Sequence, residues 1–193
     1  MGIRCPEGVF NVRLWIKLGR ICQGERRGHI SAMTSSPPPV RLSIGHVHLK
    51  VSDLSRATTF YHDVLGLDIT QRYGSQAVFL SSDGYHHHIG LNTWESLGGP
   101  PSPEGCAGLY HVAFVYSTRG ELAQAVRRVL AAGVVLEGAV DHGVSLAVYF
   151  RDPDQNGVEL YWDRPRADWP KDSQGGLSMV TDALDLPALL QDG

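Results

Sequence analysis

One order of elements occurs twice along this chain, and that repetition limits the folds open to it. Residues 44–51 alternate, with Val47, Leu49 and Val51 on one face and Ile44, His46, His48 and Lys50 on the other. This is the period of a strand with one buried side. Ser52 or Asp53 then caps a helix running to about residue 65, with Leu54, Ala57, Phe60, Tyr61 and Leu65 at helical spacing and Gly66 at its end. Three strands follow, at 67–73, 76–80 and 86–93. After a connector at 97–105 the order recurs. A strand at 109–115 leads to a helix at 121–132, whose apolar side carries Leu122, Ala125, Val126, Val129 and Leu130. Strands at 134–140, 145–150 and 158–162 complete the second copy. The spacing predicts an α+β domain of two βαβββ modules, at about 42–96 and 107–163. No glycine-rich turn follows either first strand, so a dinucleotide-binding unit is excluded.

The second copy contains a carboxylate that needs a partner. In residues 145–150, Leu146, Val148 and Phe150 share a face; in residues 158–162, Val158, Leu160 and Trp162 do the same. The turn formers of RDPDQNG separate the two strands. Glu159 therefore stands mid-strand between core positions. An isolated charge there is too costly, so it must be paired, hydrogen-bonded or bound to a metal. Overlaying the copies sets Val158-Glu159-Leu160 on Ile89-Gly90-Leu91, and His46 on His111. A pseudo-symmetric cavity would receive two histidines and one carboxylate, with only glycine at the fourth place. That is the ligand set of non-heme Fe(II) oxygenases, with coordination positions left open. His48 shares a face with His46 and is the alternative donor.

Bulk properties narrow the classes. The chain has 193 residues, 42% hydrophobic and 19% charged, enough for one ordinary domain with a real core. A net charge of -3 offers no footprint for nucleic acid or an anionic membrane. Cys5, Cys22 and Cys106 show no disulfide or metal spacing, which implies a reducing, cytoplasmic setting. Residues 1–40 carry no paired apolar pattern and end in a Ser-Ser-Pro-Pro-Pro linker. They are expected to be a disordered extension, with Met33 as an alternative start. Residues 41–169 are expected to form the domain, and 170–193 a tail with a short helix.

The stretches GHVHLKVSDLSRATTFYHDVLGLDI (45–69), GYHHHIGLNTW (84–94), GLYHVAF (108–114) and DPDQNGVELYWDRPRADW (152–169) together resemble the vicinal oxygen chelate superfamily, and within it catechol 2,3-dioxygenase-like proteins. The resemblance covers about residues 42–169. It implies a mixed-sheet cleft or partial barrel built from the two modules. It implies Fe(II), with Mn(II) as the other metal, held by His46, His111 and Glu159. It assigns the acid–base histidine to His87 in the HHH run, a substrate-contacting tyrosine to Tyr149 and a further site histidine to His142. Trp94, Tyr161 and Trp162 are candidate aromatic lining. The implied reaction is extradiol cleavage of a catechol-type aromatic with O2. The implied assembly is a homodimer, with the metal site either inside one chain or shared between two. Other family chemistries are the fosfomycin-type transferase and the glyoxalase-like isomerase, the latter disfavoured because Gly90 replaces a carboxylate. A metal-free, bleomycin-resistance-like binding protein is the non-enzymatic alternative.

Overall fold

The computed structural model describes residues 42–103 and 105–193. The expectations for residues 1–40 lie outside the described residues. Strand β1 (Val47–Lys50) is followed by α1 (Leu54–Thr59), which runs on into a π-helical turn, Phe60–Val64. Then come β2 (Asp68–Tyr73), β3 (Ala77–Ser81) and β4 (Ile89–Asn92). The second module repeats the order with β5 (Val112–Tyr116), α2 (Arg119–Ala131), β6 (Leu136–Asp141), β7 (Ser145–Arg151) and β8 (Gly157–Asp163). A 3-10 turn (Arg166–Asp168), β9 (Asp182–Ala183) and α3 (Leu186–Leu189) follow.

Local chemistry accounts for the helix boundaries. The Asp53 carboxylate accepts from the Arg56 N–H at 3.0 Å and opens α1. Thr118 and Glu121 form a reciprocal capping box at the start of α2. Gly66 and Gly133 follow the helices with positive φ, where a side chain would be strained. The sequence reading treats 54–65 as one α-helix. Instead the Leu65 N–H reaches back five residues to the Phe60 carbonyl, at 3.1 Å, so the last turn is widened. On α2, Leu122, Ala123, Ala125, Val126 and Val129 are buried, whereas Leu130 is exposed and leaves the expected apolar stripe.

The strands form two mixed sheets, ordered β1-β4-β3-β2 and β5-β8-β7-β6-β9. Each begins with a parallel pair, β1 with β4 and β5 with β8. The sheets do not close into a barrel. The registers bear out the overlay of the two copies: Val47 lies opposite Ile89, and Val112 opposite Val158. His46 and His111 each precede the first paired residue, and Gly90 occupies the place of Glu159. One core cluster spans both modules, from Leu49, Val51 and Leu80 to Val126, Val148 and Leu160.

The RDPDQNG turn ties the modules together. Asp152 is buried, and its carboxylate accepts from the backbone N–H groups of Asp154 and Asn156, each at 2.8 Å, and from the Tyr61 hydroxyl at 3.0 Å. Burial raises the Asp152 pKa above the ordinary carboxylate value, and these donors work against the rise. Asp154 reaches across to module one, accepting from the Ser52 N–H at 2.8 Å and pairing with Arg56 at 2.9 Å. The connection from β7 to β8 thus fixes the chain that delivers Glu159.

Candidate metal centre

Glu159 lies on β8 between the buried residues Val158 and Leu160, and its side chain is only 13% exposed. Both carboxylate oxygens are engaged. Oε2 lies 2.9 Å from the His111 Nε2. Oε1 accepts from the Tyr149 hydroxyl, also at 2.9 Å. Tyr149 is on β7, directly opposite Glu159 in the antiparallel register, so the strand pairing itself makes the contact. The Tyr149 hydroxyl lies 2.8 Å from the His142 Nε2, and the His142 Nδ1 lies 3.1 Å from the Val180 carbonyl. Burial, then the hydrogen bond to Glu159 and its charge, push the Tyr149 pKa well up, so the hydroxyl keeps its proton and serves as donor.

His111 and Glu159 together present an imidazole nitrogen and a carboxylate oxygen at one point. That donor pair suits a divalent first-row cation. The ring is tethered through Nε2, because its buried Nδ1 has no hydrogen-bond partner among the described residues. A cleft of about 200 Å³ opens beside His111, with Tyr110, Glu137 and Tyr149 also in its wall.

Gly157 permits this arrangement. A Cβ built there would run into the Tyr110 carbonyl oxygen and stand 3.0 Å from the His111 Cβ. The backbone that carries His111 thus lies against β8 only because that position has no side chain. Gly157→Ala is expected to lower the unfolding free energy by about 2–3 kcal/mol, the scale of overpacking in a tight site. An unchanged denaturation midpoint in urea would show that the strands separate at no cost.

The remaining site candidates lie on the other sheet. The rings of His46 and His87 are 4.4 Å apart, and the His87 Nδ1 is 2.7 Å from the His86 Nδ1. Partial burial first, then the neighbouring imidazoles of His46, His86, His48 and His88, hold the His87 pKa below its ordinary value. The HHH run does not alternate as a strand. It sits in the irregular approach to β4, which starts only at Ile89. His86 is exposed while His87 and His88 are half-buried, and the His88 Nδ1 lies 3.1 Å from the Ser81 hydroxyl. His48 packs against Trp94 and Phe79, with ring centroids 5.4 and 5.9 Å away. A Cβ on Gly90 would meet the His48 ring at 2.9 Å, so His48 fills the space equivalent to the Glu159 side chain. Trp94 is half exposed on this side, whereas Trp162 packs against the core.

The six site candidates therefore form two groups, His111, Tyr149, His142 and Glu159 on one sheet and His46 with His87 on the other. Among the described residues, no three His, Cys, Asp or Glu side chains are grouped closely enough to hold a metal ion. Sequence reasoning gave no sign of the Val180 carbonyl, which holds His142 from the tail.

The sequence model of the Glyoxalase/Bleomycin resistance protein/Dioxygenase superfamily matches residues 43–160. The chain belongs to this superfamily. It is 37% identical over 150 residues to a catechol-2,3-dioxygenase of Bacillus subtilis (strain 168), a match covering 77% of this chain and 51% of the relative. It is 35% identical over 121 residues to biphenyl-2,3-diol 1,2-dioxygenase 3 of Rhodococcus globerulus, covering 62% of this chain and 63% of that one. The chain thus spans about half to two thirds of the length of these relatives. The crystal structure of a glyoxalase/dioxygenase from Nostoc punctiforme shares the fold, with TM-score 0.55 and 20% identity over 67% of this chain and all of that one. No helix among the described residues is long and apolar enough to cross a membrane.

Proposed function

We propose that this superfamily member is a non-heme, Fe(II)-dependent extradiol dioxygenase acting on a catechol-type aromatic with O2, and that it works as a homodimer whose two copies share each metal site. The convergence of His111 and Glu159, backed by Tyr149 and His142, carries this reading. The relatives named as catechol and biphenyl-diol dioxygenases support the reaction class. Held by His46, His111 and Glu159, Fe(II) would supply a Lewis acid on which catechol and O2 are brought together. Mn(II) suits the same donors.

The chain's own residues have distinct tasks in this reading. His111 and Glu159 bind. Tyr149 donates to the Glu159 Oε1 and so fixes the carboxylate with Oε2 toward His111. With its Nδ1–H donated to the His86 Nδ1, His87 would have Nε2 left to take a proton from a catechol hydroxyl and return it later. Its lowered pKa keeps the ring neutral, the form a proton acceptor needs.

Sharing between copies is favoured by where the two groups lie. His46 stands at the start of β1 and His111 at the start of β5, and both strands are edges of their sheets. An edge leaves backbone N–H and C=O groups unpaired and exposed. Val115 on β5 is 59% exposed and Ile44 ahead of β1 is 87% exposed, so both edges also carry apolar surface. A two-fold axis would set β1 of each copy beside β5 of the other and bring His46 and His87 to the partner's pair.

Complementation tests the sharing. His46→Ala and His111→Ala proteins should each bind no metal alone. Refolded together in equal amounts, half of the dimers are mixed and each mixed dimer has one intact site. About a quarter of the wild-type metal content should return. A mixture as empty as its components would sink the shared site. The reaction class is tested separately by supplying the ferrous protein with catechols in air and following the yellow ring-cleavage product. A protein that holds Fe(II) yet cleaves none of them would favour the transferase chemistry.

A further inference from the structure

His142 is gripped from the far end of the chain. Its Nδ1 lies 3.1 Å from the Val180 carbonyl, and the Val180 N–H donates to the His142 carbonyl at 3.0 Å. The residues beyond Val180 continue along β6. Ala183 pairs with Val140, Asp182 with Asp141, and the Leu184 N–H donates to the Ala139 carbonyl at 3.2 Å. Next comes α3, capped by Asp185, with Leu189 fully buried in the core. The last residues are clasped by α2. Arg127 donates to the carbonyls of Leu190 at 2.7 Å, Asp192 at 3.1 Å and Gly193 at 3.4 Å, and Arg119 pairs with Asp192 at 2.6 Å.

We propose that the segment from Val180 to Gly193 is a latch that positions His142, with Arg127 and Arg119 as its clasp. A carbonyl can only accept, so the contact with Val180 requires the His142 Nδ1 to carry a proton. This sets which nitrogen faces the site and leaves Nε2 against Tyr149. Tyr149 has one proton, given to the Glu159 Oε1, and an unprotonated His142 Nε2 competes for it. The state of the ring therefore governs how firmly Tyr149 donates to Glu159. Arg127, on α2, becomes a positioning residue for the site. The latch itself does not rest on the dioxygenase reading.

The test is made on the full-length, metal-free protein by long-range proton–nitrogen NMR of the histidine rings, with amide exchange at Val180 and Leu184. In the parent protein the His142 Nδ1 should carry a proton. In an Arg119→Ala/Arg127→Ala variant the two amides should exchange at least about tenfold faster, the scale of one lost hydrogen bond to a charged group. The His142 ring should then shift toward protonation at Nε2. Val180→Pro, which removes the N–H given to the His142 carbonyl, should produce the same ring change without touching α2. A parent ring lacking the Nδ1 proton would overturn the proposal. So would faster exchange with the His142 ring unchanged, or unchanged exchange in the double variant. If the double variant fails to fold, Val180→Pro alone decides between these outcomes.

Discussion

Replacement of His111 by alanine is expected to give a folded protein with no bound divalent metal. The ring is half-buried at the start of β5 and makes its polar contact through Nε2 with Glu159, not with the core. Removing it deletes one of three proposed protein donors and leaves a single carboxylate on its sheet. One imidazole and one carboxylate from different sheets cannot retain Fe(II) against chelation. The fold itself rests on Val112, Val158, Leu160 and the α2 face, none of which needs the imidazole. Metal content after anaerobic purification, read beside thermal unfolding, separates the two effects. Full metal occupancy in His111→Ala would remove the site. Loss of both metal and fold would instead make His111 a structural residue. Tyr149→Phe is a milder companion, because it removes the donor to the Glu159 Oε1 while keeping all three proposed ligands. Weakened but not abolished metal binding is expected, since groups that orient a ligand typically contribute about ten- to a hundredfold in affinity.

The equivalence of His46 and His111 was legible because strand parity is a strict two-residue period, and the observed registers repeat it in both sheets. Glu159 was legible for the same reason, as a carboxylate flanked by core residues. The HHH run was not, because periodicity says nothing about irregular backbone. The turn after β3 has Gly84 at positive φ and Asp83 accepting from the Tyr85 N–H, and it delays β4 until Ile89. The short helix of the tail was expected and stands as α3, but the tail's strand was hidden. That two-residue strand is exposed and carries no alternation, and the tail's hold on His142 runs through a backbone carbonyl, which no side-chain motif records. The separation of His46 from His111 had no sequence signal either. Each module reads the same whether its first strand meets the other module of its own chain or that of a second copy.

Replacing His87 by alanine is expected to keep the metal and lose most of the turnover. The His87 ring lies 4.4 Å from that of His46, tilted against it, and is not part of the His111–Glu159 contact, so it provides no proposed donor. Its surroundings favour the neutral ring, through partial burial first and then the charges of His46, His86, His48 and His88. A neutral imidazole near a catechol hydroxyl can take up its proton, and loss of a general base usually costs about a hundredfold to ten-thousandfold. Turnover of catechol should fall by that factor while metal content stays whole and added catechol still perturbs the metal's spectrum. The pH profile adds a second constraint. A base whose pKa is lowered is protonated only at lower pH, so parent turnover should fall on the acid side and the His87→Ala protein should lose that limb. If metal disappears with His87, the histidine run holds the metal itself and His46 needs reassignment. If turnover is unchanged, proton transfer falls to His142, His48 or solvent, and the cluster beside β4 has a structural role.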